Sequence, residues 1–285
     1  MTIHTAPPRL TLSDGSTIPQ LGFGLWRVPD DEAQPAVEKA LETGYRLIDT
    51  ARSYGNEDGV RRAIAATGIP QEEIYLTTKL WNTDQGYDSA LRAYEGSIER
   101  LGVAAVDLYL IHWPVPSLDA YSETWKALVT LLEQGRVKSI GVSNFNQPHL
   151  ERIIAETGVT PVVNQIELHP YLQQEHLRSF GAQHDIATEA WSPLGSGHGL
   201  LDDPELQRIA AAKGATAAQV TLAWHLAIGN VVIPKSVTPA RIEENFAAVQ
   251  VSLDEADIEA ITALDRGHRY GGDPDVAAFG IAKQD

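Results

Sequence analysis

Eight short apolar runs recur along the chain, with amphipathic segments between them. The runs are QLGFGLW, YRLIDTA, IYLTTKLW, VDLYLIHW, VKSIGVSNF, VVNQIELH, IATEAWSP and NVVIPKSV. Between them, DDEAQPAVEKALETG, SALRAYEGSIERLG, YSETWKALVTLLEQG, DPELQRIAAAKG, AAQVTLAWHLAIG and PARIEENFAAV space apolar residues three and four apart, as helices do. Such alternation calls for a parallel sheet covered by helices. Eight units without a linker predict one closed α/β (β/α)8 TIM barrel over residues 1–285. An open, doubly wound sheet has the same alternation, and the pattern alone does not separate the two.

The ends of the chain depart from this rhythm. TLSDGSTIP sets Asp14-Gly15 between two β-like runs and predicts an N-terminal hairpin over about residues 9–19 with a two-residue turn. The Gly-rich tail from about residue 266 to 285 reads as a loop over the barrel mouth. MTIHTAPPRL has no apolar core of a signal peptide, and no run approaches the roughly 20 apolar residues of a membrane span. The expectation is a cytoplasmic protein. The absence of cysteine excludes disulfides, thiolate zinc sites and cysteine nucleophiles. A formal charge of −16 argues against a nucleic-acid or membrane partner. A local cation cluster can still hold an anionic ligand at short range.

Three strand-like runs end on side chains of chemical interest: RLIDTA at Asp49, IYLTTK at Lys79 and DLYLIH at His112. Tyr54 follows Asp49 after a short loop. In a parallel barrel all such ends open onto one face, where catalytic residues gather. A phenol is too weak an acid near neutral pH, and a neighbouring ammonium lowers its pKa. Lys79 is placed to do this for Tyr54, Asp49 to hold Lys79 charged, and His112 to direct a carbonyl oxygen towards the hydroxyl. The set stabilises an alkoxide formed by hydride addition. No side chain donates hydride, so a nicotinamide or flavin is required. Each residue taken singly reads as well as packing or a satisfied polar group. The four together at consecutive units are the stronger signal.

Further groups suit a dinucleotide. Lys235, Ser236 and Arg241 bring two cations and a hydroxyl to a helix N-terminus, a good anion site. Ser143, Asn144 and Gln165, at two strand ends, either bond a carboxamide or cap the strands. Trp191 offers a flat face for ring stacking. GFGLWR begins like a dinucleotide fingerprint, but Arg27 stands where the third glycine belongs. Gly24 and Leu25 read instead as close backbone packing at the rim. Trp26, Trp81 and Trp113 fall at strand ends and read as an apolar substrate pocket around Tyr54 and His112. His112, His169, His176 and His184 include no i, i+4 pair, and no metal is expected.

The blocks GYRLIDTARSYGNEDGVRRAI, TTKLW, IHWP, GVSNF, NQIELHPY, WSPLG and IPKSVTPARIEEN, from about Gly22 to Asn245, resemble the aldo-keto reductase family, in particular bacterial 2,5-diketo-D-gluconate reductase-type members. The resemblance implies a (β/α)8 barrel that reduces aldehydes and ketones with NADPH. It makes Tyr54 the proton donor, with Lys79 and Asp49 tuning it and His112 orienting the carbonyl. It assigns Lys235, Ser236 and Arg241 to the adenosine 2′-phosphate, and Val237, Thr238, Glu244 and Asn245 to the adenine and its surroundings. Ser192, Leu194 and Ser196 resemble a pyrophosphate clasp, and Gly24, Leu25 and Asp49 count among the cofactor contacts. Trp191 departs from the Tyr of many members, and stacking survives the exchange.

The short connection after IHW and the short tail predict a shallow, open site of broad tolerance, with diketo sugar acids and small dicarbonyls among candidate substrates. A small-molecule carbonyl substrate and a monomeric chain are the implied partnership. Two other readings compete. One is a non-catalytic NADPH sensor. The other is a barrel glycosidase built on Glu167 and Glu189, which leaves Lys79 and the KSV…R segment without a role.

Overall fold

The computed structural model describes residues 6–281. The first five residues, half of the MTIHTAPPRL stretch read as lacking the apolar core of a signal peptide, and the last four residues of the predicted tail lie outside the described residues. Strands β1 (Arg9–Thr11) and β2 (Thr17–Pro19) form an antiparallel hairpin with Leu10 opposite Ile18. Its turn is longer than the two-residue one expected. Leu12 N–H donates to Ser16 O at 2.9 Å and Gly15 N–H to Leu12 O at 3.0 Å, which leaves Ser13, Asp14 and Gly15 as the loop. Gly15 has φ +83°, the left-handed residue that a three-residue hairpin loop needs.

Eight parallel strands follow: β3 (Phe23–Gly24), β4 (Leu47–Asp49), β5 (Tyr75–Leu80), β6 (Leu108–Ile111), β7 (Ser139–Ser143), β8 (Val163–Glu167), β9 (Ala187–Trp191) and β10 (Val231–Val232). Each pairs with the next in chain order. The ring closes between the first and last. Leu21 bridges Val232, Gly22 N–H donates to Val232 O at 2.9 Å, and Val232 N–H donates to Gln20 O at 2.8 Å. Gly24 is needed at this seam because a Cβ there would lie 2.8 Å from Ile233 O. The (β/α)8 barrel is therefore as expected, and GFG is a packing motif at the closure.

The helices are α1 (Asp30–Thr43), α2 (Glu57–Thr67), α3 (Tyr87–Leu101), α4 (Tyr121–Glu133), α5 (Gln147–Thr157), α6 (Glu175–Gln183), α7 (Pro204–Lys213), α8 (Ala217–Ala227), α9 (Pro239–Phe246) and α10 (Glu255–Thr262). The sequence patterns single out α1, α3, α4, α7, α8 and α9. They pass over α2, α5, α6 and α10. In α2 and α6 a glycine interrupts the helical pattern for the sake of packing. A Cβ on Gly59 would lie 2.5 Å from Asp30 O on α1, and one on Gly181 would lie 3.1 Å from Ile186 O.

Side chains alternate between the barrel interior and the helix layer. Leu47, Tyr75, Leu108, Leu110, Val163, Val231 and Ile233 fill the interior, and Leu12 and Ile18 of the hairpin pack beneath them. The hairpin thus plugs the N-terminal end of the barrel, and the C-terminal strand ends remain for chemistry.

Candidate active site

Asp49 ends β4 and Lys79 lies near the end of β5, both buried. Lys79 Nζ donates to Asp49 Oδ1 at 2.5 Å and to the Thr50 carbonyl at 3.0 Å. Gln165 Nε2, from β8, donates to the other Asp49 oxygen at 2.9 Å. Burial works against the Lys79 ammonium, but Asp49 and Tyr54 outweigh it and hold the lysine above its ordinary pKa. This pair is a buried charge with its partner supplied, the arrangement a dry interior tolerates.

Tyr54 closes a short 3-10 turn, Arg52–Tyr54, between β4 and α2. The turn is positioned by the buried Asn56. Its Nδ2 donates to Leu25 O at 3.0 Å and Val28 O at 2.8 Å, and its Oδ1 accepts from Thr50 Oγ1 at 2.6 Å. Lys79 Nζ stands 5.2 Å from the Tyr54 ring centroid. The His112 ring meets that of Tyr54 edge-on at 5.6 Å. The tetrad therefore converges. The expected downward pull of Lys79 on the phenol is present, but burial is the larger effect. Together with Asp49 and Glu189 it leaves Tyr54 at about 12. The hydroxyl is thus fully protonated near neutral pH, as a donor must be. Burial, helped by Lys79, holds His112 well below its usual value, so its imidazole is neutral. A neutral ring offers one N–H to a carbonyl oxygen.

Hydrogen bonds tie Ser143, Asn144 and Trp191 to this centre. Asn144 Nδ2 donates to the His112 carbonyl and to Ser143 Oγ, both at 3.0 Å. Asn144 Oδ1 accepts from Trp191 Nε1 at 2.9 Å, which fixes the indole. The bond needs the indole N–H of Trp191, which a Tyr ring does not have. Asn144 and Ser192 both have positive φ, 62° and 51°. These two left-handed residues follow the ends of β7 and β9, which flank β8. After Ser192, residues Gly195, Ser196, Gly197 and Gly199 also have positive φ, and Ser196 Oγ donates to Ser192 Oγ at 2.7 Å. Leu194 is partly buried against the core. Left-handed residues of this kind turn backbone N–H groups into an anion-binding concavity.

Lys235 and Arg241 are exposed and form no ion pair among the described residues, in a chain rich in carboxylates. They flank the start of α9, where Ser236 Oγ accepts from Thr238 N–H at 3.1 Å. Val237 is exposed and Asn245 buried. Glu244 accepts from Thr216 Oγ1 at 2.7 Å. Free cations, a helix N-terminus and the exposed Val237 side chain fit a phosphorylated nucleotide. Leu25 has a fully buried side chain, and its backbone N–H donates to Asp49 O at 3.1 Å.

On the substrate side, Trp26 is exposed with Arg27 4.2 Å above its ring. Trp81 lies 5.2 Å from His112, and Trp113 is buried against Trp191 and Phe279. The tail is a larger part of this wall than its sequence indicates. Phe279 stacks edge-on with Trp113 at 5.2 Å, and a Cβ on Gly280 would lie 2.8 Å from Trp81 Nε1. Tyr270 and Gly271 donate their backbone N–H groups to Glu167 at 2.6 and 2.9 Å. The repeated glycines of the tail, Gly271 and Gly272, were the signal for this close approach. Glu167 is therefore a latch for the tail. Glu189 is fully buried within the barrel, so neither carboxylate flanks an open cleft as glycoside hydrolysis requires. Among the described residues, no three His, Asp or Glu side chains gather as metal ligands would, and no helix is long and apolar enough to cross a membrane.

The family model described as "Aldo/keto reductase family" matches residues 20–266. The chain belongs to the aldo/keto reductase family. It is 54% identical to an aldo-keto reductase of Mycolicibacterium smegmatis over 94% of this chain and 97% of that one. It is 50% identical to the methylglyoxal reductase DkgA of Salmonella typhimurium, covering 94% of this chain and 98% of that one. Among solved structures, a mutant of Gox0644 in complex with NADPH aligns with a TM-score of 0.92 at 51% identity, over 96% of this chain and 100% of that chain. This aldo/keto reductase is accordingly an NADPH-dependent oxidoreductase acting on carbonyl groups.

Proposed function

We propose that this aldo/keto reductase reduces small dicarbonyls of the methylglyoxal type, with Tyr54 as the proton donor. The observation that carries the reading is the convergence of Tyr54 and His112 over a buried Lys79–Asp49 pair. Bound NADPH supplies the hydride. The chain's own residues do the rest. The neutral His112 N–H holds the substrate oxygen, and Tyr54 gives that oxygen its proton. The Lys79 charge stabilises the phenolate left behind, and Asp49 keeps Lys79 in place. Lys235, Ser236 and Arg241 hold the 2′-phosphate, with Val237, Thr238, Glu244 and Asn245 around the adenine. Ser192, Leu194 and Ser196 clasp the pyrophosphate. Ser143, Asn144 and Gln165 hold the carboxamide, Trp191 stacks on the ring, and Gly24 and Leu25 line the rim.

Trp26, Trp81 and Trp113 form an apolar wall that suits compact aldehydes and ketones in their carbonyl form. A cavity of about 310 Å³ beside the tetrad, lined by Arg52, Ser53 and Trp81, leaves room for a small polar substrate. The same reading takes residues 1–285 as one functional barrel, active as a cytoplasmic monomer. Following NADPH absorbance with methylglyoxal as substrate tests the proposal. Oxidation that depends on the dicarbonyl is expected, and NADPH binding without turnover would rule out small dicarbonyls as the substrate.

A further inference from the structure

Glu189 stands two residues before Trp191 on β9, on the same inward face and one layer deeper in the barrel. Its side chain is fully buried, and neither carboxyl oxygen has a hydrogen-bond partner among the described residues. The nearby ammonium is already committed, since Lys79 Nζ donates to Asp49 at 2.5 Å and to the Thr50 carbonyl at 3.0 Å. Asp49 also takes the Gln165 amide at 2.9 Å, although Gln165 is the register partner of Glu189 on β8. Two carboxyls thus face one cation, and Asp49 holds it. A bare Glu189 carboxylate would sit in a dry core beside a cation and an amide that are both already bonded to Asp49. A neutral acid avoids that cost.

We propose that Glu189 is a positioning residue for the carbonyl reduction: a carboxylic acid carried in neutral form beside the Asp49–Lys79 pair, whose ionisation makes Tyr54 a weaker proton donor. This inference rests on the function proposed above. Burial, reinforced by Asp49, pushes the Glu189 carboxyl up to about 8, against the smaller pulls of Gln165 and Lys79. The groups facing it are Asp49 from β4, Tyr54 from the turn after β4, Tyr75 and Lys79 from β5, and Gln165 from β8. From β10 its register partner is the uncharged Val231. Once ionised, Glu189 raises the pKa of Tyr54, Tyr75 and Lys79 alike. Lys79 stays an ammonium in either state. The Tyr54 phenol holds its proton more tightly, so transfer to the developing alkoxide becomes harder.

Infrared spectra of the wild-type protein, titrated from about pH 6 to about pH 10, test the charge state. A carboxylic-acid carbonyl band near neutral pH is expected to fade as pH rises through about 8 and to be missing from Glu189→Gln. The rate profile tests the role. With NADPH saturating and methylglyoxal varied, kcat/KM of the wild type should fall on the alkaline side, and Glu189→Gln should move that fall up by at least about one pH unit. Melting temperatures give a readout independent of turnover. A carboxyl whose pKa is raised on folding loses stability as pH rises from the unfolded to the folded value. The advantage of Glu189→Gln over the wild type should therefore widen from about pH 5 to about pH 8. No acid band near neutral pH, or superimposable rate profiles, would overturn the inference. If the variant does not fold, the wild-type titration decides alone. A wild type that oxidises no NADPH with methylglyoxal refutes the functional reading, while band and melting gap still report the state of Glu189.

Discussion

Lys79 is a fully buried cation, and its charge survives because Asp49 lies 2.5 Å away. Removing one partner of such a pair strands the other. Lys79→Met should destabilise the fold by about 3–5 kcal/mol at pH 8, measured by urea unfolding. The loss should shrink on acidification, because a stranded Asp49 can take a proton. A loss independent of pH would mean that the pair is not ionised. Asp49, Tyr54, Lys79 and His112 were legible as a group because strand ends in a parallel barrel share one face, so their order in sequence predicts their meeting in space. The protonation of Tyr54 was not legible. Its pKa depends on how burial weighs against Lys79, and burial is a property of the assembled mouth. Glu189 was visible only as a carboxylate at a strand end. That both its oxygens are orphaned follows from Lys79 and Gln165 bonding Asp49 instead.

Among the elements, the β10–α9 connection carries the clearest sequence signal for ligand binding. Lys235 and Arg241 lie on either side of the α9 N-terminus without carboxylate partners among the described residues. Arg241→Ala should weaken NADPH by roughly tenfold or more and NADH far less, as direct titrations of both nucleotides would show. Equal losses would remove the 2′-phosphate from the account. All eight barrel strands were legible because their apolar runs are dense and regularly spaced. Helices α2 and α6 were not, because Gly59 serves packing on α1 and Gly181 the tight turn out of α6 through Ile186, both at the expense of helix propensity. The hairpin turn was misjudged by one residue for a similar reason. Asp14-Gly15 fits two loop lengths, and only the pairing of Leu12 with Ser16 decides between them.

At the scale of the whole molecule, buried histidines set the response to acid. Burial, aided by His169 and Arg178, brings His225 on α8 down to about 3, and His112 is also held well below its ordinary value. As pH falls below about 6.5, the unfolded chain takes up these protons and the folded one does not. Stability is therefore lost from about pH 6.5 downwards, by roughly 1.4 kcal/mol per pH unit for each such histidine. His225→Gln should flatten this slope in urea unfolding between about pH 6 and about pH 4, and an unchanged slope would contradict the assignment. The closed barrel and the tail over its mouth were both anticipated from sequence. The grip of the tail was not, because Glu167 reads as a strand-end acid until Tyr270 and Gly271 are seen to donate to it. The proposed function turns on one phenol beside one carbonyl, and Tyr54→Phe isolates that phenol. Steady-state reduction of methylglyoxal, paired with NADPH binding by fluorescence titration, should show binding almost unaltered and kcat reduced by about 100-fold or more. Turnover close to that of the wild type would contradict the account.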